Sequence, residues 1–156
     1  AEGRPLENLP PMPRERHFTA RLDDRWLTNF DQMKDIVANS LSQVVDARPE
    51  SRFKGEEAEP RAGLRLGHMP GAVNVPFSDL IHSNGTIKGP QEIKGMFERA
   101  GVDFSKPITT TCGSGVTAAI LTLALTILGA RDLALYDGSW AEWGGRDDTD
   151  IATGGS

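Results

Sequence analysis

Between Pro107 and Gly129 the chain changes character twice. Ile108-Thr109-Thr110-Thr111 is a β-branched run of the kind that forms a buried strand. Cys112-Gly113-Ser114-Gly115 then breaks the pattern with a tight loop. Val116 to Leu128 is apolar at helical spacing, and Gly129 is its stop. A strand, a glycine turn and a helix in that order belong to a β-α-β unit, and the same alternation recurs along the chain. Gln43-Val44-Val45-Asp46-Ala47 reads as a buried parallel strand. Ala72 to Val75 reads as a second strand, closed by Pro76. Gly89-Pro90 opens a helix with Ile93, Met96 and Phe97 on one face. Leu133 to Tyr136 is the last strand before the Asp137-Gly138 turn. Upstream, Asn29 is placed to cap a helix with Gln32 as its capping-box partner, and Phe30, Met33, Ile36 and Val37 share a face. Residues 48–70 are polar and read as one long loop, and Asn84-Gly85 is a turn. This alternation predicts an α/β domain with a mostly parallel sheet, whose ligands bind beyond the C-terminal ends of the strands.

The length of 156 residues fits one domain. Residues 1–17, rich in proline and without a hydrophobic period, read as a linker or arm. Residues 18–146 are expected to form the folded domain, and 147–156 a flexible tail. A net charge of -5 disfavours a nucleic-acid surface. The single cysteine forbids an internal disulfide, and no Cys/His cluster has zinc spacing. The most apolar run, Ala118 to Leu128, is too short to span a bilayer. No membrane role is expected, and a reducing, cytoplasmic setting is.

Cys112 is where chemistry concentrates. A glycine-rich turn aims several backbone N–H groups at one point, and the helix that follows adds the positive end of its dipole. A thiol at that focus has a lowered pKa and is a nucleophile near neutrality. Ser114 and Thr117 can add hydroxyl donors. The alternative for a lone cysteine is burial as a small core side chain. Such a cradle serves either a phosphate in a cysteine phosphatase or a persulfide. Gly115, Val116 and Thr117 stand where a cysteine phosphatase usually carries an arginine, which argues against phosphate.

The loop Cys112-Gly113-Ser114-Gly115-Val116-Thr117 resembles that of 3-mercaptopyruvate sulfurtransferases, in the rhodanese superfamily. Three further segments resemble the same family: Val45-Asp46-Ala47-Arg48 with Arg52-Phe53-Lys54-Gly55, Gly67 to Asn74, and Tyr136 to Trp143. The resemblance implies a rhodanese-like domain with a five-stranded sheet flanked by helices. It implies Cys112, with Ser114 and Thr117, as the catalytic group. Arg52 and Arg61 then grip the donor, and Gly113, Gly115 and Val116 form the rest of the donor site. Paired guanidinium donors suit a carboxylate. Thiosulfate sulfurtransferases, the alternative, typically carry basic residues inside this loop; this loop has none, which favours the singly charged 3-mercaptopyruvate. A non-catalytic rhodanese module is a third reading, against which Cys112 counts. No metal or organic cofactor is implied. The implied partners are a small sulfur donor, a thiol acceptor such as a thioredoxin-like protein, and a first rhodanese-like domain that lends an acidic residue and one wall of the cleft. His68 is expected to fix its turn, Asp46 and Arg48 to pair, Asp137 to cap a turn, and Trp140 and Trp143 to be core or wall.

Overall fold

In a computed structural model the described residues are 3, 5, 8–10, 12 and 15–155. Five strands form one sheet: β1 (Leu27–Thr28), β2 (Gln43–Asp46), β3 (Val73–Asn74), β4 (Ile108–Thr111) and β5 (Leu133–Tyr136). Their order is β1-β5-β4-β2-β3, and every pairing is parallel. Five α-helices accompany them: α1 (Phe30–Asn39), α2 (Glu50–Lys54), α3 (Pro90–Arg99), α4 (Ala118–Ile127) and α5 (Ser139–Trp143).

A parallel sheet needs cover on both faces, and two separate apolar clusters supply it. Val45, Ile108 and Leu133 pack with Ile93, Phe97, Leu121 and Leu125 of α3 and α4 on one face. Val44 and Tyr136 pack with Met33, Phe53, Trp140 and Trp143 of α1, α2 and α5 on the other. Neighbours Val44 and Val45 point to opposite faces, as the pleat requires. The Asn29–Gln32 capping box starts α1, Pro90 stands in the first turn of α3, and Gly129 at φ 82° closes α4.

The strand order places the site. From β2 the chain turns outward to β3, then returns to the other side of β2 for β4 and β5. The crevice between the C-terminal ends of β2 and β4 is thus the point where the winding reverses, where ligands of such sheets bind. Ala47-Arg48 leaves one lip of this crevice and Cys112 the other, and the Ala47 N–H donates to Thr111 O at 2.9 Å across it.

Three elements differ from the sequence pattern. The loop predicted over 48–70 contains α2, and the turn after β5 is the start of α5; both are five-residue helices, too short to show a period. β1 has two residues and therefore no alternation to read. Beyond 146, where a flexible tail is the expectation, the chain runs back over the fold. Thr149 is buried, Ala152 and His68 exchange backbone hydrogen bonds, and Gly154 N–H donates to Lys54 O. Residues 15–23, the described stretch before the first 3-10 turn at Asp24–Trp26, are exposed. Much of the arm assigned to 1–17 lies outside the described residues. Among the described residues no helix is long and apolar enough to cross a membrane.

Candidate active site

β4 delivers Cys112 at the C-terminal end of the central strand, and α4 begins six residues later. The side chain is 1% exposed. Burial pushes its thiol pKa up. The Thr117 hydroxyl and the backbone N–H groups of Ser114, Ala118 and Thr117 more than reverse this, so the thiol sits below the ordinary cysteine value. The Ser114 N–H lies 3.4 Å from Sγ. Ser114 thus acts on the sulfur through its backbone, Thr117 through its side chain.

The loop holds this shape because of what lies beneath it. Gly115 has φ 82°, and a Cβ there would stand 2.7 Å from Asp137 Oδ1 and 3.0 Å from Asp137 O. Only glycine fits that conformation and that approach. The first turn of α5 braces the other side. Trp140 N–H donates to Cys112 O at 2.9 Å and Ala141 N–H to Gly113 O at 3.0 Å. Ser139 Oγ accepts from Cys112 N–H at 3.2 Å and donates to Tyr136 O at 2.9 Å. Ser139 itself is left-handed, at φ 51°. The loop's outward polar groups are thereby freed for a ligand while its inward ones are satisfied.

Facing the loop is a cavity of about 270 Å³. Cys112, Gly113, Ser114 and Thr117 form one wall, and Arg48, Arg52, Glu59 and Arg61 the other, with Leu64 and Phe77 as apolar lining. That size suits a small anion. Arg52 leans over the loop: a Cβ on Gly113 would lie 2.9 Å from its Nη2. Arg48 is buried, bonded to Asp46 through Nε and Nη2 and to Glu59 through Nη1 at 2.7 Å, and stacked on Trp140 at 4.4 Å. Burial works against its charge, but Asp46 and Glu59 outweigh that and raise its pKa. Arg61 is exposed at the mouth, with no carboxylate partner among the described residues. A larger groove of about 460 Å³ beside α2 and α3 is lined by Glu50, Lys54, Asp79 and Arg99, among others, and has no nucleophile.

The structure therefore brings together Cys112, Gly113, Ser114, Thr117, Arg52 and Arg61. Gly115 supports the loop from behind. Val116 is 73% exposed and does not line the cavity, so its side chain adds nothing to this wall. His68 stands away from the cavity: its Nδ1 meets Phe53 O at 2.7 Å and its ring stacks on Phe53, which fixes the turn. Asp46 and Arg48 pair, and Trp140 and Trp143 are buried, as expected. Sequence reasoning missed Glu59, Ser139 and the place of Arg48 in the cavity lining. Glu59 sits inside the segment that carries Arg61, but only folding puts it between two guanidinium groups. Among the described residues no group of His, Cys, Asp and Glu could hold a metal ion.

The rhodanese-like domain profile matches residues 29–146, most of the chain. The chain belongs to the rhodanese-like family. Among its relatives are sulfurtransferases of two kinds. It is 49% identical to the 3-mercaptopyruvate sulfurtransferase of Escherichia coli K12 over 137 residues, 88% of this chain and 48% of that one. It is 46% identical to the thiosulfate sulfurtransferase of Gallus gallus over 142 residues, 91% of this chain and 48% of that one. The crystal structure of Tum1 from Saccharomyces cerevisiae superposes with a TM-score of 0.76 at 31% identity, covering 83% of this chain and 47% of that one. This rhodanese-like domain thus spans about half the length of the curated relatives it matches.

Proposed function

We propose that this domain is the sulfur-carrying part of a sulfurtransferase that takes sulfur from 3-mercaptopyruvate onto Cys112. One observation carries the proposal: a cysteine thiol held in a ring of N–H donors faces Arg52 and Arg61 across a small cavity, and residues 112–117 contain no cation. The donor's carboxylate lies against the guanidinium wall, which leaves its sulfur toward Cys112. The Cys112 thiolate attacks that sulfur. A new S–S bond forms as the donor's C–S bond breaks, and the bond pair leaves as the enolate of pyruvate. The proton from the donor thiol ends on the enolate carbon, and pyruvate departs. The Cys112 persulfide keeps its negative charge under the N–H groups of Ser114, Thr117 and Ala118, which are aimed before the charge arrives. An acceptor thiolate, from a small thiol or a thioredoxin-like protein, then attacks the outer sulfur and returns Cys112 as thiolate. Cyanide does the same in vitro and yields thiocyanate. The chemistry needs a reduced Cys112, which fits a reducing compartment such as the cytoplasm. A first domain, if joined to this one, would add an acidic residue and one wall of the cleft.

The similarity to a thiosulfate sulfurtransferase supports a second reading with the same persulfide and a different donor. Steady-state turnover with cyanide separates them. A higher kcat/KM for 3-mercaptopyruvate than for thiosulfate is expected; the reverse order transfers the assignment to thiosulfate.

A further inference from the structure

We propose that Glu59 is the residue that sets donor charge preference in this cavity, acting by neutralising one guanidinium and fixing which edge of Arg52 a donor meets. The proposal rests on the sulfurtransferase reading above and deepens it.

Glu59 is almost wholly buried, its side chain 3% exposed. Arg48 Nη1 donates to its Oε1 at 2.7 Å, Arg52 Nε donates to the same oxygen at 3.2 Å, and Arg52 Nη2 donates to Oε2. One carboxylate therefore ties the deep arginine to the arginine that leans over Gly113. Two consequences follow from guanidinium chemistry. A guanidinium has two paired edges that match a carboxylate, Nε with one Nη, and Nη with Nη. Glu59 occupies the Nε edge of Arg52, so a donor meets only the end-on edge. Arg61, at the mouth and without a carboxylate partner among the described residues, retains both edges. The second consequence is charge. Asp46 and Glu59 oppose Arg48, Arg52 and Arg61, which leaves one net positive charge on this wall. One positive charge matches a donor with one carboxylate. A dianion such as thiosulfate would enter undercompensated, in a site where water is partly excluded and charges act at short range. Without Glu59 the wall would carry two positive charges, and Arg52 could swing its second edge inward.

The test compares donors rather than total activity. Glu59→Gln keeps the side-chain size and removes the charge. Its kcat/KM ratio of thiosulfate to 3-mercaptopyruvate is expected to rise about tenfold over wild type, mainly through a lower KM for thiosulfate. Glu59→Asp, which keeps the charge at a shorter reach, is expected to hold the ratio within about twofold of wild type while raising KM for both donors. Equal loss with both donors in Glu59→Gln overturns the proposal, because Glu59 would then be only a brace. A shift of the ratio by Glu59→Asp as large as that by Glu59→Gln overturns it too, because length and not charge would set the preference. Should Glu59→Gln fail to fold, Arg52→Gln reads the same quantity in reverse: the wall falls to zero net charge and the ratio drops below wild type, whereas an unchanged ratio overturns the proposal. A wild-type protein that turns over neither donor sinks the sulfurtransferase reading itself. Turnover by wild type with an unmoved ratio in the variants sinks the Glu59 proposal alone.

Discussion

The two walls of the cavity are built by opposite means. The cysteine wall is made mainly of backbone: the N–H groups of Ser114, Thr117 and Ala118, joined by the Thr117 hydroxyl, are aimed at one sulfur, on a loop pinned between the central strand and two helix starts. Its polarity cannot be titrated away and its geometry follows from a few small residues. The arginine wall is made of long side chains on the segment from 48 to 64, which includes one short helix. It takes its shape from cross-braces, the Asp46–Arg48–Glu59–Arg52 chain of ion pairs and the C-terminal run packed behind it. Arg65 shows how that brace works. Its guanidinium donates to Gly144 O, Thr149 O and Trp143 O, so one cation ties the base of the donor loop to residues 143–149. A fixed backbone cradle suits a step that every donor shares, and a braced wall of charges suits the part that distinguishes donors.

Substitutions can break or sharpen this contrast. The largest loss is expected from Trp140→Ala, because that indole fills the core beneath the arginine wall. It is fully buried, stacks under Arg48, and donates from Nε1 to Arg65 O at 3.0 Å; the backbone N–H of residue 140, which donates to Cys112 O, survives the substitution. About 3–5 kcal/mol of folding stability should disappear, read by denaturant midpoint. Next, Gly115→Ala should cost about 2 kcal/mol for its left-handed backbone and displace the cradle against Asp137. Sulfur loading should fall with either donor alike, which marks a cradle defect. Arg65→Ala should cost about 1–3 kcal/mol by leaving carbonyl groups unpaired. Its kinetic signature is the opposite one: KM for the donor rises while loading at saturating donor persists.

The smallest effect is a shift in a pH profile. The folded Cys112 thiol is more acidic than an unfolded one, so its thiolate contributes stability that is complete above the unfolded pKa and is lost as pH falls through the folded value. The same sign governs rate. Persulfide formation should rise with pH and level off below the ordinary cysteine value. Thr117→Val removes the hydroxyl donor and should move that inflection upward; a profile identical to wild type would remove Thr117 from the cradle.

The same contrast explains what could be read without coordinates. β2, β4 and β5 are short buried runs, and their β-branched or apolar residues announce them. The cradle is contiguous in sequence, so Cys112 through Thr117 already contains its strand end, its glycines and its helix start. The grouping of Arg52 and Arg61 with Cys112 is legible only through resemblance, because an arginine in a polar loop looks like any solvated charge. Glu59 and Ser139 were not legible as site residues. Ser139 reaches a backbone N–H 27 residues earlier in the chain, and the Arg65 brace spans 79 and 84 residues. Such pairings depend on where the sheet order puts two loops, which no local pattern encodes. The contacts of the run beyond 146 are out of reach of local pattern for a related reason. Asp147 to Gly155 is polar, yet it is tied down by Trp143, whose Nε1 donates to Asp150 O, and by the His68–Ala152 pairing.

The most direct test of the central claim is the intact mass of the reduced protein after mixing with 3-mercaptopyruvate, with Cys112→Ser alongside. The account predicts a gain of one sulfur atom in the wild type alone, removed by cyanide. No gain, in this chain and in a chain extended to the length of its relatives, would contradict it.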